Sequence, residues 1–320
     1  MNRLEGLPVF NYWVEYPPVF PFISWLLYGI AGEREHVFTY LLFCVLTAAD
    51  AGSLALFWRI ANHFHPAGQA VWRTLVFLLA LVALPYSWWY FDPLVVFCAL
   101  LGISLLLDRR WISAAGVVGL GVALKLFPFL VLLAAWKRIS WKRFTLLVGL
   151  SLAPVALLYG ALWLASPEFT GASLRAQASK GSWETVWALL DGNIRTGSFG
   201  DSSERLDPAA ATSRGNPAVI PPMVSLVLFG GIGLAGLWKA RIEEERSSVA
   251  LVGFAWVLFV LWSPGWSPQW VLYLLPLVLL TLPGRQAILF GAALVLINLL
   301  EWPVLLSRGY FSYLWVPIII

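Results

Sequence analysis

The sequence predicts an all-α fold, a polytopic bundle of transmembrane helices, and three observations point to it. Of the 320 residues, 60% are hydrophobic and 12% charged, against roughly 45–50% and 25% in an ordinary soluble domain. Long apolar runs recur along the chain, and short clusters of Arg and Lys separate them. A hydrocarbon core about 30 Å thick needs roughly 20 apolar residues per helix, so lipid is the expected solvent for most of this chain.

The apolar runs predict helices over 36–58, 74–90, 93–107, 144–165, 221–238, 249–262, 270–282 and 286–306. Between 112 and 136, Lys125 and Pro128 interrupt a further apolar stretch. Proline lacks a backbone N–H and cannot continue a helix, so this stretch predicts two short helices turning at Lys125-Leu126-Phe127-Pro128. With the apolar Val19 to Ile30, the bundle comes to about 9–11 helices. They form a single integral membrane domain over 1–320, in which 1–35 is a first outer loop with an interfacial segment. Residues 166–222 form one long loop.

Orientation follows from the cations. One set of connections carries Arg59, Arg73, Arg109, Arg110, Lys137, Arg138, Lys142, Arg143, Lys239, Arg241, Arg246 and Arg285. The short loops of the opposite set carry only Arg3, Arg34 and Arg308. By the positive-inside rule the first set is cytoplasmic, and a long loop such as 166–222 translocates regardless of its charge. The expected location is the cell membrane, with the long loop outside. Within it, Trp183 to Leu190 is amphipathic enough to lie on the membrane surface, and Gly197 to Pro217 reads as a mobile stretch. The first loop precedes any spanning helix, and Leu314 to Ile320 stops inside an apolar run. Both features suggest a sequence truncated at one or both ends.

A net charge of +4 and a pI near 9.1 do not indicate nucleic acid, because the basic residues sit between apolar runs instead of on one amphipathic face. Cys44 and Cys98 lie inside apolar segments, where a thiol behaves as a small hydrophobe. His63 and His65 have no further ligand near in sequence, so no metal site is expected. The Gly116 to Gly121 and Gly230 to Gly233 stretches suit close helix packing. Phosphate loops, nucleophile elbows and zincin motifs are missing.

Four segments carry polar chemistry to the face opposite the cationic one. Asn11-Tyr12-Trp13-Val14-Glu15-Tyr16-Pro17-Pro18 sets a carboxylate among aromatics before two prolines. Glu15 is either a reactive carboxylate held on a rigid segment or a solvated residue in an aromatic anchor. Lys125 costs about 2.5–3.5 kcal/mol if it lies at a helix centre in lipid, and is then functional; the alternative is snorkelling to the interface. Asp92, in Tyr86-Ser87-Trp88-Trp89-Tyr90-Phe91-Asp92-Pro93, either belongs to a site or caps the following helix. Trp262-Ser263-Pro264-Gly265-Trp266-Ser267-Pro268-Gln269-Trp270 is either a polar wall or a turn. Glu301 and Asp50 are ionisable groups inside predicted helices, a feature of transporters, although no internal repeat is evident.

Trp13 to Pro18, Phe91-Asp92-Pro93-Leu94, Ala123-Leu124-Lys125-Leu126-Phe127-Pro128, and Ser263-Pro264 followed by Tyr273 to Pro276 resemble, in this order, motifs of bacterial GT-C glycosyltransferases. The likeness is to the polyprenyl-phosphate-mannose-dependent, alpha-1,2-mannosyltransferase-like branch, and Arg175-Ala176-Gln177 to Ser182-Trp183-Glu184 is also similar to it. The resemblance implies transfer of a hexose such as mannose from a lipid-linked phosphosugar to an extracytoplasmic glycan or glycolipid acceptor, with inversion. It implies Glu15 as the base, Lys125 and Arg175 facing the phosphate, and Tyr16, Trp183 and Trp266 stacking on sugar or prenyl units. Asp92 and Gln269 complete the implied substrate contacts, and no cofactor beyond the lipid donor is expected. Relatives with an Asp four residues before the Glu differ from this chain, which has Asn11 there.

Overall fold

The computed structural model describes residues 6–88, 90–193, 199–212 and 215–320. Among them the protein is helical, with two isolated bridges, Pro8–Tyr12 and Trp183–Gly265, and no β-strand. Five helices are long and apolar enough to cross a membrane: Glu35–Phe64 (α2), Trp141–Ala165 (α6), Pro222–Lys239 (α9), Glu245–Trp262 (α10) and Gly284–Leu306. The last is α-helical over Gly284–Leu299 (α12) and continues as a π-helix over Leu300–Leu306 around Pro303. Only 6% of the apolar window of α9 and 28% of that of α10 is buried inside the protein. Apolar surface left outside to this extent suits lipid contact and not water.

The shorter apolar helices Val19–Ile30 (α1), Ala67–Ala83 (α3), Asp92–Leu107 (α4), Trp111–Leu124 (α5) and Val271–Thr281 (α11) complete the bundle. Helix α4 is about 24 Å long at 1.5 Å per residue, less than the bilayer core, and it is hydrophobic all round. Such a helix belongs inside. It packs against α2, α5 and the 3₁₀ segment Phe127–Ala135, while α11 packs against α10 and α12. Phe57, Phe77, Leu100, Ile103 and Trp256 fill the centre.

Several expected boundaries move for identifiable reasons. Helix α2 runs on to Phe64, because Arg59 reaches across to Asp108 at 2.7 Å and to Ser104 at 3.0 Å instead of ending the helix. The helix expected at 74–90 is α3, shifted to 67–83 between Pro66 and Pro85, which restrict their neighbours on either side. Arg73, expected in a loop, is therefore inside α3 and 1% exposed. It donates to the carbonyl oxygens of Leu279 and Leu282 at the C-terminal end of α11, where a cation compensates unsatisfied acceptors. The hairpin turns at Lys125 as expected, but its second arm is a 3₁₀ segment instead of an α-helix.

The described part of the long loop holds more regular structure than its composition suggests. It opens with Pro167–Ala178 (α7) and includes Val186–Asp191 (α8), with the 3₁₀ turns Ser202–Leu206 and Pro208–Ala210. The amphipathic stretch at Trp183–Leu190 is helical only from Val186, since Thr185 caps α8 through its hydroxyl. Of the stretch expected to be mobile, 197–198 and 213–214 lie outside the described residues, as does Arg3. Contacts between segments sort into two groups. His63, Arg138, Lys137, Glu245, Trp238 and Ala240 meet one another at one end of the bundle, and the first loop, Lys125, Trp183 and Trp266 gather at the other.

Candidate functional site

At the second end, Asp92 is the first residue of α4 and is fully buried. It does not cap its helix; Phe91 stands at the N-cap with no side-chain bond. The carboxylate instead accepts from Lys125 Nζ at 2.7 Å and from the Tyr273 hydroxyl, both on Oδ1. Its Oδ2 has no hydrogen-bond partner among the described residues. Lys125 follows the last turn of α5 in extended conformation, which sends its side chain to α4 and not outward to the interface. The ammonium lies 5.3–5.5 Å from the ring centres of Phe91, Trp270 and Tyr273. An ion pair enclosed by three aromatic faces leaves Lys125 with its charge balanced.

The first loop lies over this pair. Trp13, 1% exposed, donates to the carbonyl oxygens of Glu204 and Asp207 at 3.2 and 3.1 Å, and the Val14 amide donates to Ser173 Oγ at 3.0 Å. These bonds fix Glu15 between α7 and the later part of the long loop, where Arg205 Nη2 meets its carboxylate at 2.8 Å. The Arg205 guanidinium also covers the Trp13 ring at 5.3 Å. Tyr16 packs edge-on to Phe91, 5.6 Å between centroids, joining the Glu15 loop to the Asp92 turn. Burial of its hydroxyl, together with the carboxylates of Glu15 and Asp92, raises the Tyr16 phenol above its ordinary range.

Lys180 completes the cluster. Its Nζ lies 4.8 Å from the Tyr16 ring centre and 5.9 Å from that of Trp183, and no acidic side chain pairs with it among the described residues. Burial lowers the Lys180 ammonium below its usual range; Glu15 opposes this, and Lys125 and Arg205 add to it. The site therefore contains carboxylates Glu15 and Asp92 and cations Lys125, Arg205 and Lys180, a surplus of one positive charge.

A third wall comes from the segment between α10 and α11. Trp183 donates its amide to Pro264 and accepts from the Trp266 amide, and its indole reaches Ser267 Oγ at 3.3 Å. Gly265 is required here, because a Cβ on it would lie 2.4 Å from the Trp183 ring atoms. Trp266 turns its indole to Glu301 Oε2 at 3.1 Å. Gln269 sits half-buried beside Trp270, one residue from the ring that flanks Lys125.

The structure thus brings Glu15, Tyr16, Asp92, Lys125 and Trp183 together and places Trp266 and Gln269 along the adjoining wall. Arg175 is apart: it is exposed on α7 and donates to the Pro208 carbonyl oxygen at 3.0 Å. Arg205 and Lys180 hold the places beside Glu15 and Tyr16 that sequence reasoning left empty. Lys180 lies inside the Arg175 to Glu184 segment, whereas Arg205 sits in a charged stretch with no distinguishing spacing. No protein-family model and no curated protein matches this chain.

Proposed function

We propose that the chain is a membrane glycosyltransferase of GT-C type, transferring a hexose from a polyprenyl-phosphate sugar to an extracytoplasmic glycan or glycolipid, with inversion. The observation that carries this reading is the meeting of Glu15 with Arg205, and of the neighbouring Tyr16 with Lys180, beside the buried Asp92–Lys125 pair, at one end of an apolar bundle. A polyprenyl tail dissolves in lipid and presents its phosphosugar at such an end. Glu15 takes the proton of the acceptor hydroxyl as its oxygen bonds to the anomeric carbon. The bond from that carbon to the phosphate oxygen breaks, and the electron pair leaves with the phosphate.

The departing phosphate gains negative charge and is stabilised by cations already in place. Lys180, without an acidic partner, is the first cation for this role, and Arg205 follows if phosphate draws it from Glu15. Lys125, balanced by Asp92, contributes a dipole and holds the turn. The free Oδ2 of Asp92 suits a hydrogen bond from a sugar hydroxyl, since a buried carboxylate oxygen normally has a donor. Tyr16 and Trp183 offer ring faces beside Lys180 for the sugar.

The test is transfer of labelled hexose by the reconstituted protein, comparing Glu15→Gln with the unaltered chain. Loss of roughly 10²-fold or more fits general base catalysis; full activity in the Gln variant removes Glu15 as the base. A second reading, a transporter or lipid flippase, draws on Asp50 in α2, whose Oδ1 has no partner among the described residues. Passage of intact donor across a proteoliposome without covalent change would favour it.

A further inference from the structure

A cleft lies where α8 meets the start of α9 and the end of α10, and no step of the transfer chemistry uses it. Its volume is about 380 Å³, open mouth included, at the small end of the roughly 300–1,000 Å³ of small-molecule sites. Hydrogen bonds tie its polar lining together. The Asp191 carboxylate, 9% exposed at the end of α8, accepts from Ser182 Oγ at 2.6 Å and from the Val219 amide at 2.7 Å. Gly192, at φ 72°, ends the helix and turns the chain. Asn193 then donates to Ser182 Oγ at 3.1 Å and to the Asn216 carbonyl oxygen at 3.0 Å. Asn216 returns its amide to Asn193 Oδ1 at 2.8 Å and its side-chain nitrogen to the Asp191 carbonyl oxygen at 3.0 Å. A carboxylate has about four lone-pair sites, so two protein donors leave Asp191 with capacity for the hydroxyl groups of a ligand.

Two tryptophans complete the lining. Trp187 donates its indole N–H to the Leu261 carbonyl oxygen at 3.0 Å, and Trp262 donates to that of Pro222 at 3.0 Å. A tryptophan that only anchors a loop at the membrane surface keeps its polar end toward water and headgroups. Here both N–H groups are used on backbone, so each ring is fixed in place and has carbon surface to offer a ligand. Phe229 braces the Trp187 ring edge-on, 6.5 Å between centroids. A ligand must therefore match ring surface and hydroxyl-type hydrogen bonding within one small volume. A lipid tail would strip water from the Asp191 carboxylate and give nothing back. An anion would face that same carboxylate, although Lys180 also lines the cleft. A sugar has both features, a C–H face for an indole and hydroxyls for the carboxylate and amide.

We propose that this cleft seats a neutral sugar unit of the acceptor glycan. Lys180 links it to the reaction, since the residue lines the cleft while its Nζ lies 4.8 Å from the Tyr16 ring centre. A sugar held here is separated from the Glu15 loop by the length of one lysine side chain. Sugar binding stands on the cleft alone; the acceptor role rests on the transfer reading.

The test is saturation-transfer difference NMR on the full chain in phosphocholine micelles, whose detergent carries no sugar, with methyl α-mannoside and α-1,2-mannobiose as probes. Saturable binding of both is expected, without displacement by inorganic phosphate. Trp262→Phe and Trp262→Leu both lose the bond to Pro222, and only the second loses the aromatic ring, so a purely structural role moves both alike. Affinity should fall about tenfold or more in Trp262→Leu and stay within about threefold in Trp262→Phe, tenfold being about 1.4 kcal/mol of lost contact. Asp191→Asn removes the charge at nearly constant shape and should weaken binding severalfold. Glu15→Gln should bind the probes as the unaltered chain does while losing transfer, and Trp262→Leu should raise the KM for acceptor with donor affinity unchanged. No saturable binding by the unaltered chain, displacement by phosphate, or equal loss in the two Trp262 variants overturns the cleft and leaves the Glu15 reading in place. Trp262-dependent binding in a chain that transfers no sugar does the opposite: the cleft stands as a sugar site, and the transfer reading falls with the acceptor role.

Discussion

Replacing Lys125 by Met keeps most of the stem and removes the ammonium, which isolates one interaction. Asp92 is fully buried and the Lys125 side chain 16% exposed, with 2.7 Å between the charged atoms. These values place the pair with buried ion pairs, not with surface ones. Removing one partner of a buried pair costs about 3–5 kcal/mol, because the other charge is left without compensation; an exposed pair is worth about 0–1 kcal/mol. The Tyr273 hydroxyl remains as a donor to Asp92 and sets the expectation at the lower end, about 3 kcal/mol. The assay is unfolding of the purified protein in mixed micelles of increasing SDS content, followed by circular dichroism. The double variant Lys125→Met with Asp92→Asn should lose less than the two single variants summed, since the pair disappears as a unit. A single-variant loss below about 1 kcal/mol, with additive behaviour, would refute the claim that Lys125 is held inward by Asp92.

Other consequences follow from the same geometry. Gly265→Ala sets a methyl group against the Trp183 ring, at 2.4 Å from its atoms, and should cost about 1–3 kcal/mol by overpacking, read as a lower Tm together with weakened donor binding. Trp13→Ala removes a core indole and both of its carbonyl contacts; a loss of about 3–5 kcal/mol and increased protease cleavage around Arg205 are expected. Lys180 binds an anion only while protonated, and its folded-state value lies below the ordinary 10.5. Donor affinity should therefore fall as pH rises through that lowered value, at lower pH than for an ordinary lysine, and Lys180→Arg should carry the fall to higher pH. An unchanged alkaline profile in Lys180→Arg would exclude Lys180 from phosphate binding.

Much of the bundle was legible in the sequence because lipid imposes long apolar helices, and α6, α9 and α10 lie within a few residues of the expected limits. The shift of α3 was not, since an apolar run gives no phase at its ends and Pro66 and Pro85 decide where the helix fits. Arg73 shows the same limit: a cation marks a loop by composition, yet three-dimensional packing lets it cap a neighbouring helix inside the core. At the site, Glu15, Asp92 and Lys125 stood out because charge is expensive among apolar residues. Arg205 did not, because a cation in a polar loop carries no such cost, and only the fold of that loop onto Trp13 gives it a partner. Arg175, on the same loop, shows the converse, a cation within the expected segment whose side chain turns to Pro208.

The proposed reaction is covalent transfer of a lipid-linked sugar at the Glu15 end. The direct measurement is a single turnover in proteoliposomes carrying a polyprenyl-phosphate hexose labelled in the sugar, with acceptor supplied on the side of the long loop. Label in the acceptor with inverted anomeric configuration is expected, with one polyprenyl phosphate released per sugar moved. Intact donor recovered on the opposite face, or label that stays on the lipid while the donor is bound, would contradict it.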